Sequence, residues 1–244
     1  MYSIYKKEIT SFFSSITGYV AITVFLSLTG WFMWINPGEF NILESGYANI
    51  DTLFFIAPWV FLFLAPAITM RSFAEERKTG TIELLLTHPV SEMQLTLAKY
   101  FSALTLVLLS LIPCLIYYIT VYFTGNPVGN IDSGGVWGSF IGLFFLAAAY
   151  VSIGIFASAL TDSQIVAFIV SSTLCFFVYS GFDGLAMLPP LKPASSLLVS
   201  LGINEHYKSM SRGLIDIRDA VYFITVATLF VSAARLKIQS FKWN

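Results

Sequence analysis

The sequence predicts an all-α protein that crosses a lipid bilayer six times, and three observations carry that expectation. First, 57% of its 244 residues are apolar and only 11% are charged, less than half the roughly 25% charged share of a soluble domain. So few charges cannot cover a water-facing surface. Second, the apolar residues gather into six runs near the length of about 20 that lets a helix span a roughly 30 Å hydrocarbon layer. Third, none of these runs carries Asp, Glu, Lys or Arg in its interior.

The runs are Gly18 to Ile35, Thr52 to Met70, Tyr100 to Phe123, Val136 to Leu160, Ile165 to Gly181 and Ala220 to Ala234. The last is short, and Asp219 or Arg235 is expected to mark its ends. Pro58 and Pro66 in the second run and Pro113 in the third are candidate kinks. The chain reads as a single domain, 1–244.

Residues 1–17 have helical periodicity. Tyr2, Tyr5, Ile9, Phe12, Phe13 and Ile16 share a stripe, with Lys6, Lys7, Thr10 and Ser14 opposite, the pattern of a helix lying in the headgroup layer. Seventeen residues before the first apolar run, and no small-residue cleavage pattern after it, argue against a secretory signal.

Residues 71–99 read as a hairpin. The second span is expected to continue as one helix through Arg71, Glu75, Glu76 and Lys78, because nothing before Gly80 breaks it. Gly80 can take the left-handed conformation that ends a helix. A short helix fits Thr81 to Leu86, with Glu83 near its positive end and Pro89 as its stop. Ser91 with Gln94 forms a capping box that opens the helix into the third span. Ile82, Leu84, Leu85 and Leu86 make the short helix more apolar than a solvent loop tolerates, which suits insertion into a groove on another protein.

Thr161, Asp162 and Gln164 link the fourth and fifth spans, again in capping-box form. Asp132-Ser133-Gly134-Gly135 reads as a turn before the fourth span. Residues 182–218 hold Pro189, Pro190 and Pro193, then two helix-like pieces, Ala194 to Leu201 and Asn204 to Arg212. Asn204 is placed to cap the second piece and Gly213 to end it. Both pieces are expected to dip into the outer leaflet or lie on it.

Orientation follows the basic residues. Nine fall on one side (Lys6, Lys7, Arg71, Arg77, Lys78, Lys99, Arg235, Lys237 and Lys242) and four on the other (Lys192, Lys208, Arg212 and Arg218). Both termini and the 71–99 hairpin are therefore expected in the cytoplasm, and 182–218 outside it.

Several functions are disfavoured. A net charge of −1 gives no basic footprint for nucleic acid. The chain has no G-x-x-x-x-G-K-[ST] run and no Gly-Lys pair to cradle ATP phosphates. Cys114 and Cys175 lie in apolar runs without metal or disulfide spacing, and His88 and His206 fall on opposite membrane sides. Glu75-Glu76 lacks the Arg that a glutamate-pair intramembrane protease needs, because that position is Gly80. No Ser sits in a G-x-S-x-G turn, so a membrane-embedded hydrolase is disfavoured. No catalytic, cofactor-binding or metal-ligating residue is assigned. Tyr117, Tyr118, Ser152, Ser158, Ser171 and Tyr179 offer hydroxyls to an internal path.

At residues 75–100, EERKTGTIELLLTHPVSEMQLTLAKY resembles the cytoplasmic hairpin of type-2 ABC transporter permeases, through the pattern E-R-x-x-G-T-x-E-x-L-L-x-x-P. YKKEITSFFSSITGYV (5–20) is similar to that family's N-terminal elbow helix, and LTDSQIVAF (160–168) to its fourth-to-fifth-span turn. HYKSMSRGLIDIRDAVYF (206–223) is similar to its last outer stretch. Within the family, residues 47–73 most resemble the permease subunit associated with bacterial gliding motility.

The resemblance implies a non-catalytic membrane subunit in the bacterial inner membrane, driven by two copies of a separate cytoplasmic ABC ATPase. It implies a second permease protomer, identical or not, and admits an accessory subunit outside the membrane. Carried over by position, Glu75, Glu76, Gly80, Thr81, Glu83, Leu84, Leu85 and Pro89 form the ATPase-docking coupling helix. Thr161, Asp162 and Gln164 form a second contact. The output is export or mechanical work linked to gliding motility. The competing reading, an ion- or proton-coupled secondary transporter, needs charged or broken helices at the midplane.

Overall fold

The computed structural model describes residues 1–83, 91–213 and 216–241, and among them every regular element is helical. Six helices are long and apolar enough to cross a membrane: Gly18–Ile35, Asp51–Lys78, Glu92–Thr124, Ser133–Leu160, Gln164–Ala186 and Ile217–Ser240, here spans one to six. The chain is thus a multi-pass membrane protein.

Span four is the hub. It packs against spans two, three, five and six, so its apolar surface must run around its whole circumference. Residues 147–155, from Ala147 to Ile155, are all buried. Two glycines set close approaches. A Cβ at Gly154 would overlap the Thr69 side chain of span two, and one at Gly138 would lie 2.6 Å from the Cα of Gly213. Spans one, five and six instead leave Val20, Val24, Trp31, Ile165, Ile169, Val221 and Leu229 exposed, a surface suited to lipid.

Span two departs from the expected continuous helix. It runs Asp51–Thr69, turns through residues 70–73, and resumes at Ala74–Lys78. The Ser158 hydroxyl of span four bridges the gap. Its oxygen accepts from Phe73 N (2.9 Å) and Ala74 N (3.1 Å), and it donates to Met70 O (3.1 Å). Groups a broken helix would leave unpaired are therefore satisfied from a neighbour. Pro58 and Pro66 both lie inside the unbroken part. Pro113 sits in a 3₁₀ turn, Ile112–Cys114, that divides span three.

Helix ends follow the expected chemistry in some places only. Ser91 and Gln94 form the complete reciprocal box, both bonds at 3.3 Å. Thr161 and Gln164 do not. Thr161 Oγ1 accepts from Ser163 N (3.2 Å), and the helix starts at Gln164 behind Ser163. Asp132 caps span four through Gly135 N (3.0 Å). Span six extends beyond the expected limits, because the hydrophobic window shows where lipid ends and not where the helix ends. Asp216 caps it, while Asp219 and Arg235 both lie within it.

The segment between spans five and six is keyed into the bundle. Helices Ser195–Leu201 and Ile203–Met210 follow a 3₁₀ stretch, Pro189–Ala194. Asn204 is not the cap; it donates to Asp183 Oδ2 at 2.6 Å, and Gly202 takes the cap position. Gly213, at φ +79°, follows the last turn. Tyr207 donates to Phe54 O (2.6 Å), and burial pushes its phenol pKa well up, which holds the donated proton in place.

Candidate functional site at the charged end of the bundle

The N-terminal helix, Tyr2–Phe13, packs on the first half of span three. Ile4, Tyr5, Glu8, Ile9 and Phe12 are half-buried, whereas Tyr2, Phe13 and Ile16 remain exposed. The contact face is thus rotated from the aromatic stripe toward Glu8, and Tyr5 Oη lies 3.0 Å from Thr105 Oγ1.

That rotation builds an ion cluster. Lys99 is 1% exposed, and its ammonium lies 2.7 Å from Glu8 Oε1, 3.0 Å from Glu76 Oε1 and 2.6 Å from Ser72 O. Three acceptors match the three N–H donors of an ammonium. Phe73 places its ring 5.1 Å from the same nitrogen. Lys7 approaches Glu76 Oε1 from the solvent side at 3.4 Å. A charge withdrawn from water this far needs such neutralisation. Lys99 therefore ties together the N-terminal helix, the end of span two and the start of span three.

The same end gathers the remaining charged segments. Arg77 donates to Ala159 O at 3.2 Å and lies over Phe241, 4.6 Å from the ring centre. Lys237 stands 5.3 Å from that ring, and Arg71 donates to Ser15 Oγ at 2.9 Å. The hairpin base, the 161–164 turn and the end of span six are thereby held side by side.

The candidate docking residues divide by exposure. Glu75, Gly80, Thr81, Glu83 and Asp162 are exposed, and Thr161 and Gln164 are half-buried. Gly80 adopts φ +71° and turns the chain between Ala74–Lys78 and the helical residues 81–83. Glu76 points inward to Lys99. Ile82 is 7% exposed and belongs to the core, anchoring the hairpin on its own bundle. Leu84, Leu85 and Pro89 lie outside the described residues.

Two polar features escaped the sequence reading. The Lys99 cluster was legible in principle: Glu8 sits four residues from both Ile4 and Phe12, and Lys99 four from Leu95 and Ala103, each on the apolar face of its helix. The second is at the opposite end. His206 Nδ1 lies 2.7 Å from Asp219 Oδ1, and Nε2 lies 2.9 Å from Ser200 O. Tyr222 stacks on the ring at 3.9 Å and donates to Leu201 O. Nothing in the sequence pairs residues 13 apart across a turn.

Among the candidate path hydroxyls, Ser158 is engaged as the bridge described above. Ser152 bonds Ala149 O, and Tyr118 Oη lies 2.9 Å from Ser133 Oγ.

No curated protein matches the chain. The family model described as ABC-2 family transporter protein matches residues 35–203. That stretch holds spans two to five, the hairpin and the 161–164 turn, which is most of the sequence. The chain belongs to the ABC-2 transporter family, as a membrane-spanning component.

Proposed function

We propose that this chain is a permease subunit that couples ATP hydrolysis by a separate cytoplasmic ATPase to export or mechanical work across a bacterial inner membrane. One observation carries the reading. The exposed residues of the hairpin (Glu75, Gly80, Thr81 and Glu83), exposed Asp162 of the turn and its half-buried neighbours Thr161 and Gln164 share one end of the bundle, and Arg77 ties their supports together. A motor gripping that surface pushes on spans two, three, four and five together. Stiff attachment is what such coupling requires, and the Ser158 bridge and the Lys99 cluster supply it.

In this reading the basic end is cytoplasmic, Glu75, Gly80, Thr81, Glu83, Leu84, Leu85 and Pro89 touch the ATPase, and Glu76 supports them from within. Two ATPase copies serve two permease protomers. The link to gliding motility rests on the resemblance of residues 47–73, with the outer segment 182–218 as the part that would engage an extracytoplasmic partner.

The test is Leu84→Asp and Leu85→Asp. Each should insert normally, lose the copurifying ATPase and abolish function. Full ATPase recovery with both variants would refute the docking surface.

A further inference from the structure

Between the N-terminal helix and spans two and three lies a cavity of about 280 Å³. Its mouth carries Lys7, Ser11, Glu75, Thr79 and Thr81, all exposed, and its floor is apolar, with Ala67, Ile68, Ala103 and Leu106. Two charged side chains on its wall are incompletely matched. Glu76, 8% exposed, gives Oε1 to Lys99 and Lys7, while its buried Oε2 meets no protein donor. Arg71 gives Nη1 to Ser15, while its buried Nε meets no acceptor. Leaving either atom unmatched is costly.

The cavity does not end at its polar wall. Ala67 also lines an apolar groove of about 710 Å³ between spans one and two, whose walls include Ile16, Val20, Val24, Val60 and Phe63. A charged recess thus lies next to an apolar groove along spans one and two, the two sharing Ala67. That combination fits an amphiphile, head in the recess and chain in the groove.

We propose that this recess is a binding site for the phosphoethanolamine headgroup of a membrane phospholipid. Arg71 Nε and Glu76 Oε2 are closed to the cavity as the side chains stand; after a turn of each side chain toward it, the phosphate would accept from the Arg71 guanidinium and from Lys7, and the primary ammonium would donate to the Glu76 carboxylate, with Glu75 at the mouth. Both signs of charge are needed. An anionic headgroup such as phosphatidylglycerol offers Glu76 only neutral hydroxyl donors and sets uncompensated negative charge beside it. A choline headgroup has the positive charge but no N–H. The lipid would seal the N-terminal helix to the bundle beside the Lys99 cluster, and the proposal stands whether or not an ATPase docks at this end.

The test is native mass spectrometry of the delipidated full chain titrated with phosphatidylethanolamine, its mono- and dimethyl derivatives, phosphatidylcholine and phosphatidylglycerol. One bound lipid is expected, with the mono- and dimethyl derivatives, which keep an N–H, retained like the parent lipid, and retention falling about tenfold at phosphatidylcholine, the worth of one charge-assisted hydrogen bond. Glu76→Gln should flatten the ethanolamine-over-choline preference, whereas Arg71→Gln should weaken both lipids alike. The methylation series uses the unaltered chain and so survives misfolding of either variant. Equal retention of ethanolamine and choline lipids, or strongest retention of phosphatidylglycerol, would overturn the proposal. So would displacement by soluble phosphoethanolamine, which would make the site one for a free phosphomonoester and not for a lipid.

Discussion

Both ends of the bundle bury a basic side chain against a carboxylate, yet they do so to different depths. At the basic end, Lys99 is 1% exposed and meets Glu8 of the N-terminal helix and both Glu76 and the Ser72 carbonyl at the end of span two. At the opposite end, the His206 side chain is 17% exposed and meets one carboxylate and one carbonyl, holding helices Ser195–Leu201 and Ile203–Met210 to span six. The first arrangement carries a fixed charge that cannot leave without stranding its partners. The second is a clasp, and His206 satisfies both acceptors only when both ring nitrogens carry protons. Under the proposed function, the more deeply buried cluster lies at the end where force from a motor would enter.

Substitutions can break this comparison. The largest effect is expected for Lys99→Met, which leaves Glu8 and Glu76 without their buried counter-charge. Losing one partner of a buried pair costs about 3–5 kcal/mol, so thermal unfolding in detergent should shift strongly downward. Adding Glu8→Gln and Glu76→Gln should recover much of the loss, because no unpaired charge then remains.

A smaller effect is expected for Ser158→Ala, which removes the acceptor for Phe73 N and Ala74 N and the donor to Met70 O. Because Phe73 N and Ala74 N share one acceptor oxygen, the loss is expected at about 1–3 kcal/mol in all. Hydrogen exchange should accelerate at residues 70–75 while span four stays protected.

The smallest is expected for His206→Gln, about 1 kcal/mol from one weakened hydrogen-bond pair and a lost ring stack. Faster exchange should be confined to residues 195–212. A global destabilisation equal to that of Lys99→Met would abolish the contrast between the two ends.

Much of the architecture was legible because lipid imposes a simple rule. A helix interior without charge, about 20 residues long, has few alternatives, and all six spans lie where the apolar runs placed them. The reciprocal Ser91–Gln94 cap was legible for a similar reason: both partners lie three residues apart on one chain. What escaped depends on distant neighbours. The break in span two is held open by Ser158, 85 residues from Phe73, and no local pattern announces it. Asn204 has the right type for a cap, but Asp183 competes for its side chain. Span six outlasts its apolar window because Arg235 and Lys237 are good helix formers beyond the lipid. The burial of Lys99 escaped for a different reason. Counting charges by loop ignored that it sits on the same helical face as Leu95 and Ala103.

The central claim, that the basic end is the handle of a separate ATPase, is tested most directly by single cysteines at Thr81 and Asp162 in intact membranes. With the ATPase present, both thiols should be shielded from a membrane-impermeant maleimide added from the cytoplasmic side and should cross-link to the ATPase. Removing the ATPase should expose them. Equal, rapid labelling of both positions whether the ATPase is present or absent would contradict the account.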